Sequence, residues 1–194
     1  MADANDENVH RVLDGVTREE FAEAADELGL AKHQTWEPKT EREAYEEVWT
    51  TPDKRSAVNY VEDPISGMSY VHIRGAEADR LLEGVTDKLA TFWPEELVER
   101  AEVMEDDPEE LIANLYRLAI TFPAYDETVF SIFDAAAGAP DPRMRLALLD
   151  ALAYRRWPES RELVERLARE DEDAEAREHA ARTLTLWDGP QQQT

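Results

Sequence analysis

The 194 residues suit one compact domain, or a small domain joined to a short repeat array, and 42% hydrophobic content supplies a core. A formal net charge of −24 excludes a nucleic-acid binder that works by neutralising phosphates, which needs a basic face. With no cysteine, disulfides, thiolate nucleophiles and Cys-ligated zinc are excluded as well, and no apolar run approaches the roughly 20 residues of a membrane span.

The acidity is unevenly placed. Residues 1–105 carry 26 acids against 11 bases, 106–140 carry 7 against 1, and 141–187 carry 11 against 9. The last stretch is therefore almost balanced and rich in Arg. The acidic part suits either a basic protein partner or simply a very soluble surface. The opening 1-MADANDENVH-10 has neither the basic start nor the apolar middle of a signal peptide, so the expected location is cytoplasmic.

In chain order, residues 1–8 read as a disordered tip and 9-VHRVLDGVT-17 as one short helical turn. Thr17 and Glu20 have the spacing of a capping box. Phe21, Ala24, Ala25 and Leu28 then recur at helical spacing, and Gly29 ends that helix. The stretch 31-AKHQTWEPKT-40 reads as a loop, and 43-EAYEEVWTT-51 as a strand. In 56-SAVNYVEDPISGMSYVHIRG-75 two β-rich runs flank Asp63-Pro64-Ile65-Ser66-Gly67, which fits a hairpin. The expected sheet is thus three-stranded and antiparallel, and it needs a helix on one face. Residues 76–93 supply it through Leu81, Leu82, Val85, Leu89 and Phe92, with Gly84 interrupting the pattern. Pro94 fits the first position of a further helix that runs to about Met104.

From Asp107 the pattern becomes repetitive. Asp107, Asp141 and Asp173 each open a helix, the first two followed by Pro. Leu118, Leu152 and Leu184 close these helices in the same register. Val129 and Phe133 match Leu163 and Leu167 in the second helices, and Pro123 and Pro158 lie between the helices. Self-similarity at this period is the mark of stacked helix pairs, whose apolar stripes one pair cannot bury alone.

These lines resemble HEAT-like repeats of the phycobilisome-lyase type, whose usual line runs Asp-Pro-x-Val-Arg-x-x-Ala-Ala-x-Ala-Leu. Asp173, Ala176, Arg177, Ala180, Ala181 and Leu184 match it. So do Asp141, Pro142, Met144, Arg145, Ala151 and Leu152, with Leu148 and Leu149 where two Ala usually stand. The unit at Asp107-Pro108 has Leu111 in place of the Arg. The resemblance covers about 107–187 and implies an α-solenoid of about two and a half helix pairs. The expected division is an acidic α+β domain over 1–105, HEAT-like repeats over 106–188 and a disordered tail over 189–194. Physically, Ala lets two helices approach, Asp caps the helix start, and the Arg one turn later can reach a carboxylate or carbonyl of a neighbouring unit.

Chemistry is harder to find. His10, His33, His72 and His179 stand apart in sequence, and Glu175 with His179 makes only two ligands on one helix face. His72 reads as a half-exposed sheet histidine on the face of Tyr70 and Arg74. The runs Glu46-Glu47, Asp106-Asp107 and 170-EDED-173 read as solvated edges and loops. No phosphate-cradling, nucleophile-elbow or zinc-protease motif occurs. The expectation is no catalytic residue, no cofactor and no metal. Trp36, Tyr45, Trp49, Tyr60, Tyr70, Phe92 and Trp93 serve either as a small-sheet core or as a pocket lining.

The leading functional expectation is a non-enzymatic adaptor that binds another protein, with no nucleic acid and no membrane among its partners. An immunity protein masking a basic toxin, and a lyase-type enzyme subunit, are the alternatives. Contact candidates are Arg155, Arg156 and Trp157, at the turn between two repeat helices, and Arg161, Glu162, Glu165 and Arg166 on the helix that follows. There Leu163, Val164 and Leu167 face inward by helical spacing.

Overall fold

A five-stranded antiparallel sheet fills the first half of the computed structural model, which describes residues 8–103 and 107–189. Its strands are β1 (Val9–Val12), β2 (Ala31–Trp36), β3 (Tyr45–Thr50), β4 (Ser56–Asp63) and β5 (Met68–Gly75), in the spatial order β1-β5-β4-β3-β2. The chain divides into two compact units, Met1–Trp93 and Pro94–Thr194. In the first, α1 (Arg18–Glu27) and α2 (Ala78–Lys88) accompany the sheet. The capping box forms: the Glu20 amide donates to the Thr17 hydroxyl and the Thr17 amide donates to the Glu20 carboxylate. Phe21 and Ala25 of α1, and Ala78, Leu81 and Val85 of α2, enter one core with Tyr45, Trp49, Val58, Tyr60, Val71 and Ile73. Phe21 stacks on Tyr60 and meets Trp49 edge-on. Gly84 stays in α2 because the helices pass closely there: a Cβ would lie 2.4 Å from Leu28 Cδ2. The helix stops at Lys88, short of the expected Trp93.

The hairpin forms as expected, with Asp63 opposite Met68 across the Pro64–Gly67 turn. Two strands were not expected. The segment 9–12, expected to be a helical turn, is β1 and pairs with β5, its partners running from Val9 with Ile73 to Val12 with Tyr70. The segment 31–36, expected to be a loop, is the edge strand β2. All six of its residues are exposed, and its register shifts between Lys32 and Gln34. An edge strand with no buried face carries no alternation to read, and a bulge with a Lys beside it discourages edge-to-edge pairing.

The second unit holds six helices among the described residues: α3 (Pro94–Val103), α4 (Pro108–Thr121), α5 (Glu127–Ala137), α6 (Pro142–Tyr154), α7 (Ser160–Glu170) and α8 (Ala174–Asp188). Asp107, Asp141 and Asp173 cap α4, α6 and α8 through their side chains, as expected. Helix α4 packs on α3 and α6, α6 on α8, and α7 on α5 and α8. The expected architecture therefore needs correction. The sheet has five strands rather than three. The described residues hold eight helices, and the second half is a compact six-helix unit instead of a solenoid of two and a half helix pairs. Helix α3, which has no counterpart in the repeat register, belongs to that unit and packs on both α4 and α5. The division falls between Trp93 and Pro94, whereas the expected boundary lay after residue 105. The expected disordered tip at 1–8 lies outside the described residues except for Asn8, and the tail at 189–194 except for Gly189.

Candidate functional site

The repeated Arg does structural work. Arg145 on α6 is 5% exposed and forms a two-pronged ion pair with Asp171, Nε to Oδ2 and Nη2 to Oδ1, both at 2.8 Å. Its third nitrogen, Nη1, donates to the carbonyls of Ala139 and Pro140. Arg177, at the matching place on α8, donates to the Asp171 carbonyl at 2.6 Å. The Arg expected to reach a neighbouring unit thus binds the loops between helices: Arg145 holds the loop before its own helix and the one before α8, and Arg177 holds the loop before its own helix. The guanidinium of Arg145 holds the Asp171 carboxyl below its ordinary value, against burial, which acts the other way. Asp171 comes from the run expected to be solvated, yet its side chain is 1% exposed.

The turn expected to be a contact site divides in two. Trp157 is buried, stacked on Phe133 and edge-on to Tyr125, with its indole N–H 3.4 Å from the Pro123 carbonyl. It is a core residue and offers no surface anchor. Arg155 is half-buried and donates to the Ile120 carbonyl near the end of α4 at 2.7 Å. Its guanidinium thus binds inside the unit, at a helix C-terminus. Arg156 is exposed.

On α7 the inward set is as expected: Leu163, Val164 and Leu167 are buried. Glu162 and Arg166 are exposed, while Glu165 is half-buried. Arg166 reaches across to Asp134 of α5 at 2.7 Å, and Arg161 bridges Glu165 and Asp188. Between α5 and α7 runs a groove of about 310 Å³. Phe130 and Leu163 are its apolar lining, and Asp134, Glu159, Glu162, Arg166, Arg169 and Glu170 line it with both signs of charge. The structure thus brings Glu162 and Arg166 together at one groove, with Glu165 and Arg161 beside it on the same helix. It separates Trp157 from them. The groove wall on α5, Phe130 and Asp134, was not expected. Periodicity gives the face of a single helix, but not which neighbour lies alongside.

The first unit contains a second cluster that sequence reading missed. Tyr45, Glu47 and Trp49 alternate along β3, so one face carries all three. Glu47 is 3% exposed, correcting its expected place at a solvated edge. It accepts from Lys32 Nζ at 2.6 Å, Tyr45 Oη at 2.5 Å and Trp49 Nε1 at 2.9 Å. Burial pushes its carboxyl up, but the three donors outweigh burial and hold it below the ordinary value. Beside it, Arg18 pairs with Glu62 and lies over the Tyr45 ring at 3.4 Å. Burial, then the hydrogen bond to Glu47, pushes the Tyr45 hydroxyl up to about 12. Each polar group here has a partner, so the cluster reads as a satisfied interior network. Tyr45, Trp49 and Tyr60 are accordingly core residues, while Trp36 and Trp93 are about half exposed.

The histidines stay dispersed in role. His10 and His72 stack across β1 and β5 with ring centroids 4.4 Å apart. His179 pairs with Asp150 at 2.9 Å rather than with Glu175, and Tyr116 donates to the same carboxylate. Among the described residues no group of three or more His, Asp or Glu could hold a metal ion, and no helix is long and apolar enough to cross a membrane. Compared with known protein families, curated proteins and solved structures, the chain has no match.

Proposed function

We propose that this protein is a non-enzymatic, cytoplasmic binding module whose second unit engages another protein along α7 and the groove it forms with α5. The observation that carries the reading is the lining of that groove: Phe130 and the edge of the buried Leu163, together with six charged side chains of both signs. Interfaces between proteins combine apolar with polar and charged side chains in this way. Mixed signs suit a specific protein contact better than a polyanion. Arg145 and Arg155, by contrast, are buried or half-buried and engaged with the unit's own loops and helix ends.

Contacts between residues about one repeat apart favour extending the HEAT-like resemblance to this unit. They are Tyr116 to Asp150, Arg143 to Glu109 and Trp157 to Pro123, each at a separation of 34, and Arg166 to Asp134 at 32. The test is affinity capture from the native host with the full chain and with a variant carrying Arg156→Ala and Arg166→Ala. The reading expects a protein recovered by the unaltered chain and lost by the variant, with the variant's circular dichroism unchanged. Equal recovery by both sinks this surface. A second reading, masking of a basic toxin, is favoured by the net charge of −24. It expects a strongly basic partner, equal recovery by the variant, and release by moderate salt.

A further inference from the structure

We infer that the cleft between α4 and α5 is a binding site for a small, neutral, largely apolar molecule bearing one N–H or O–H donor. This rests on a different surface and a different observation from the protein contact proposed above. Helix α4 packs chiefly on α3 and α6, and α5 on α6 and α7, so α4 and α5 leave a cleft of about 580 Å³ between them. Leu111, Leu115, Ile132 and Met144 give it apolar walls, and Ala135 and Ala136 keep it wide. None of the described residues lining it is charged, in a chain of net charge −24. Its volume falls in the range of small-molecule sites, about 300–1,000 Å³.

Asn114 gives the cleft its chemical preference. It lines the cleft and is 1% exposed. Its Nδ2 donates to the Leu97 carbonyl at 2.8 Å, which fixes the amide's orientation. Its Oδ1 is buried and accepts no hydrogen bond among the described residues. A buried carbonyl oxygen without a donor is an unfavourable arrangement that a ligand can relieve. The oxygen has almost no water contact, so a donor reaches it only when the cleft wall beside it gives way. Because the Asn114 nitrogen is already engaged, the site presents an acceptor only. It therefore selects donors over acceptors, and neutral molecules over anions.

The test uses α-naphthol and its methyl ether, two apolar probes that differ in one O–H. Each is titrated into the full chain while backbone amide chemical shifts are followed. The expected result is saturable α-naphthol binding with shifts at residues 111–115 and 131–136. The alcohol should bind roughly 3- to 10-fold more tightly than the ether, as for one neutral hydrogen bond. Ala136→Phe, at a half-buried position on the cleft wall, should abolish binding of both probes. Asn114→Leu should erase the preference for the alcohol, and if that variant does not fold, the two probes on the unaltered chain still decide. Equal affinity for alcohol and ether overturns the inference. So do shifts centred elsewhere, unchanged binding by a folded Ala136→Phe variant, or no saturation below about 1 mM, a binding free energy of only about −4 kcal/mol.

Discussion

Arg145 and Asp171 illustrate how little a charged residue's neighbours in sequence say about its surroundings. The Arg was legible, because it recurs in the register of the repeats and a cation one turn into a helix can reach the preceding loop. Its partner was not. Glu170, Asp171, Glu172 and Asp173 are equivalent as a run of acids, and only the packed loop selects Asp171 for burial. The same holds for Glu46 and Glu47, of which the strand's alternation buries the second. Removing one half of a buried pair strands the other charge, so Arg145→Ala should cost about 3–5 kcal/mol in chemical denaturation. The double change Arg145→Met with Asp171→Leu should cost less than that single change. A loss under about 1 kcal/mol for Arg145→Ala would mean that the pair is not formed. The carboxyl of Asp171 is held below its ordinary value of 3.8, so its stabilising contribution is present above that pH and is lost as pH falls below it. Asp171→Asn should therefore flatten the acid limb of the stability profile between about pH 5 and pH 2. An unchanged acid limb in a folded variant would contradict the assignment.

Helices were more legible than strands. Caps and 3.6-residue periodicity are local signals, and Thr17, Asp107, Asp141 and Asp173 each cap where their spacing indicates. The central strands β3, β4 and β5 carry β-branched and aromatic residues and a Pro–Gly turn, and were legible for that reason. The outer strands β1 and β2 depend on partners that sequence spacing does not reveal. β1 is four residues long, and β2 buries nothing. Leu152 closes α6 in the repeat register and is fully buried. Leu152→Ala should cost about 2–5 kcal/mol, the range for a Leu removed from a packed core. A shift below about 0.5 kcal/mol in the denaturation midpoint, converted at constant slope, would place the residue outside the core.

For the whole molecule, charge and repetition were readable and architecture only partly so. Repetition along 107–187 gave the helices but not their closure with α3 into one six-helix unit, because α3 has no partner in the repeat register. The contact candidates fared unevenly for a similar reason. Trp157 and Arg155 look like surface anchors in a short turn, but Trp157 packs on Phe133 of α5 and Arg155 binds the end of α4. The net charge of −24 argues that a DNA duplex at about 0.15 M salt should show no saturable binding in the sub-micromolar range. Sub-micromolar binding in a mobility or anisotropy assay would contradict that.

The proposed contact is tested most directly by amide hydrogen exchange on the chain with and without its captured partner. Protection is expected along Ser160–Glu170 and Glu127–Ala137, the two helices that flank the groove, with residues 9–75 unchanged. Protection confined to the sheet of the first unit, with both helices exchanging as in the free chain, would contradict the proposal and place the interface on the other half of the protein.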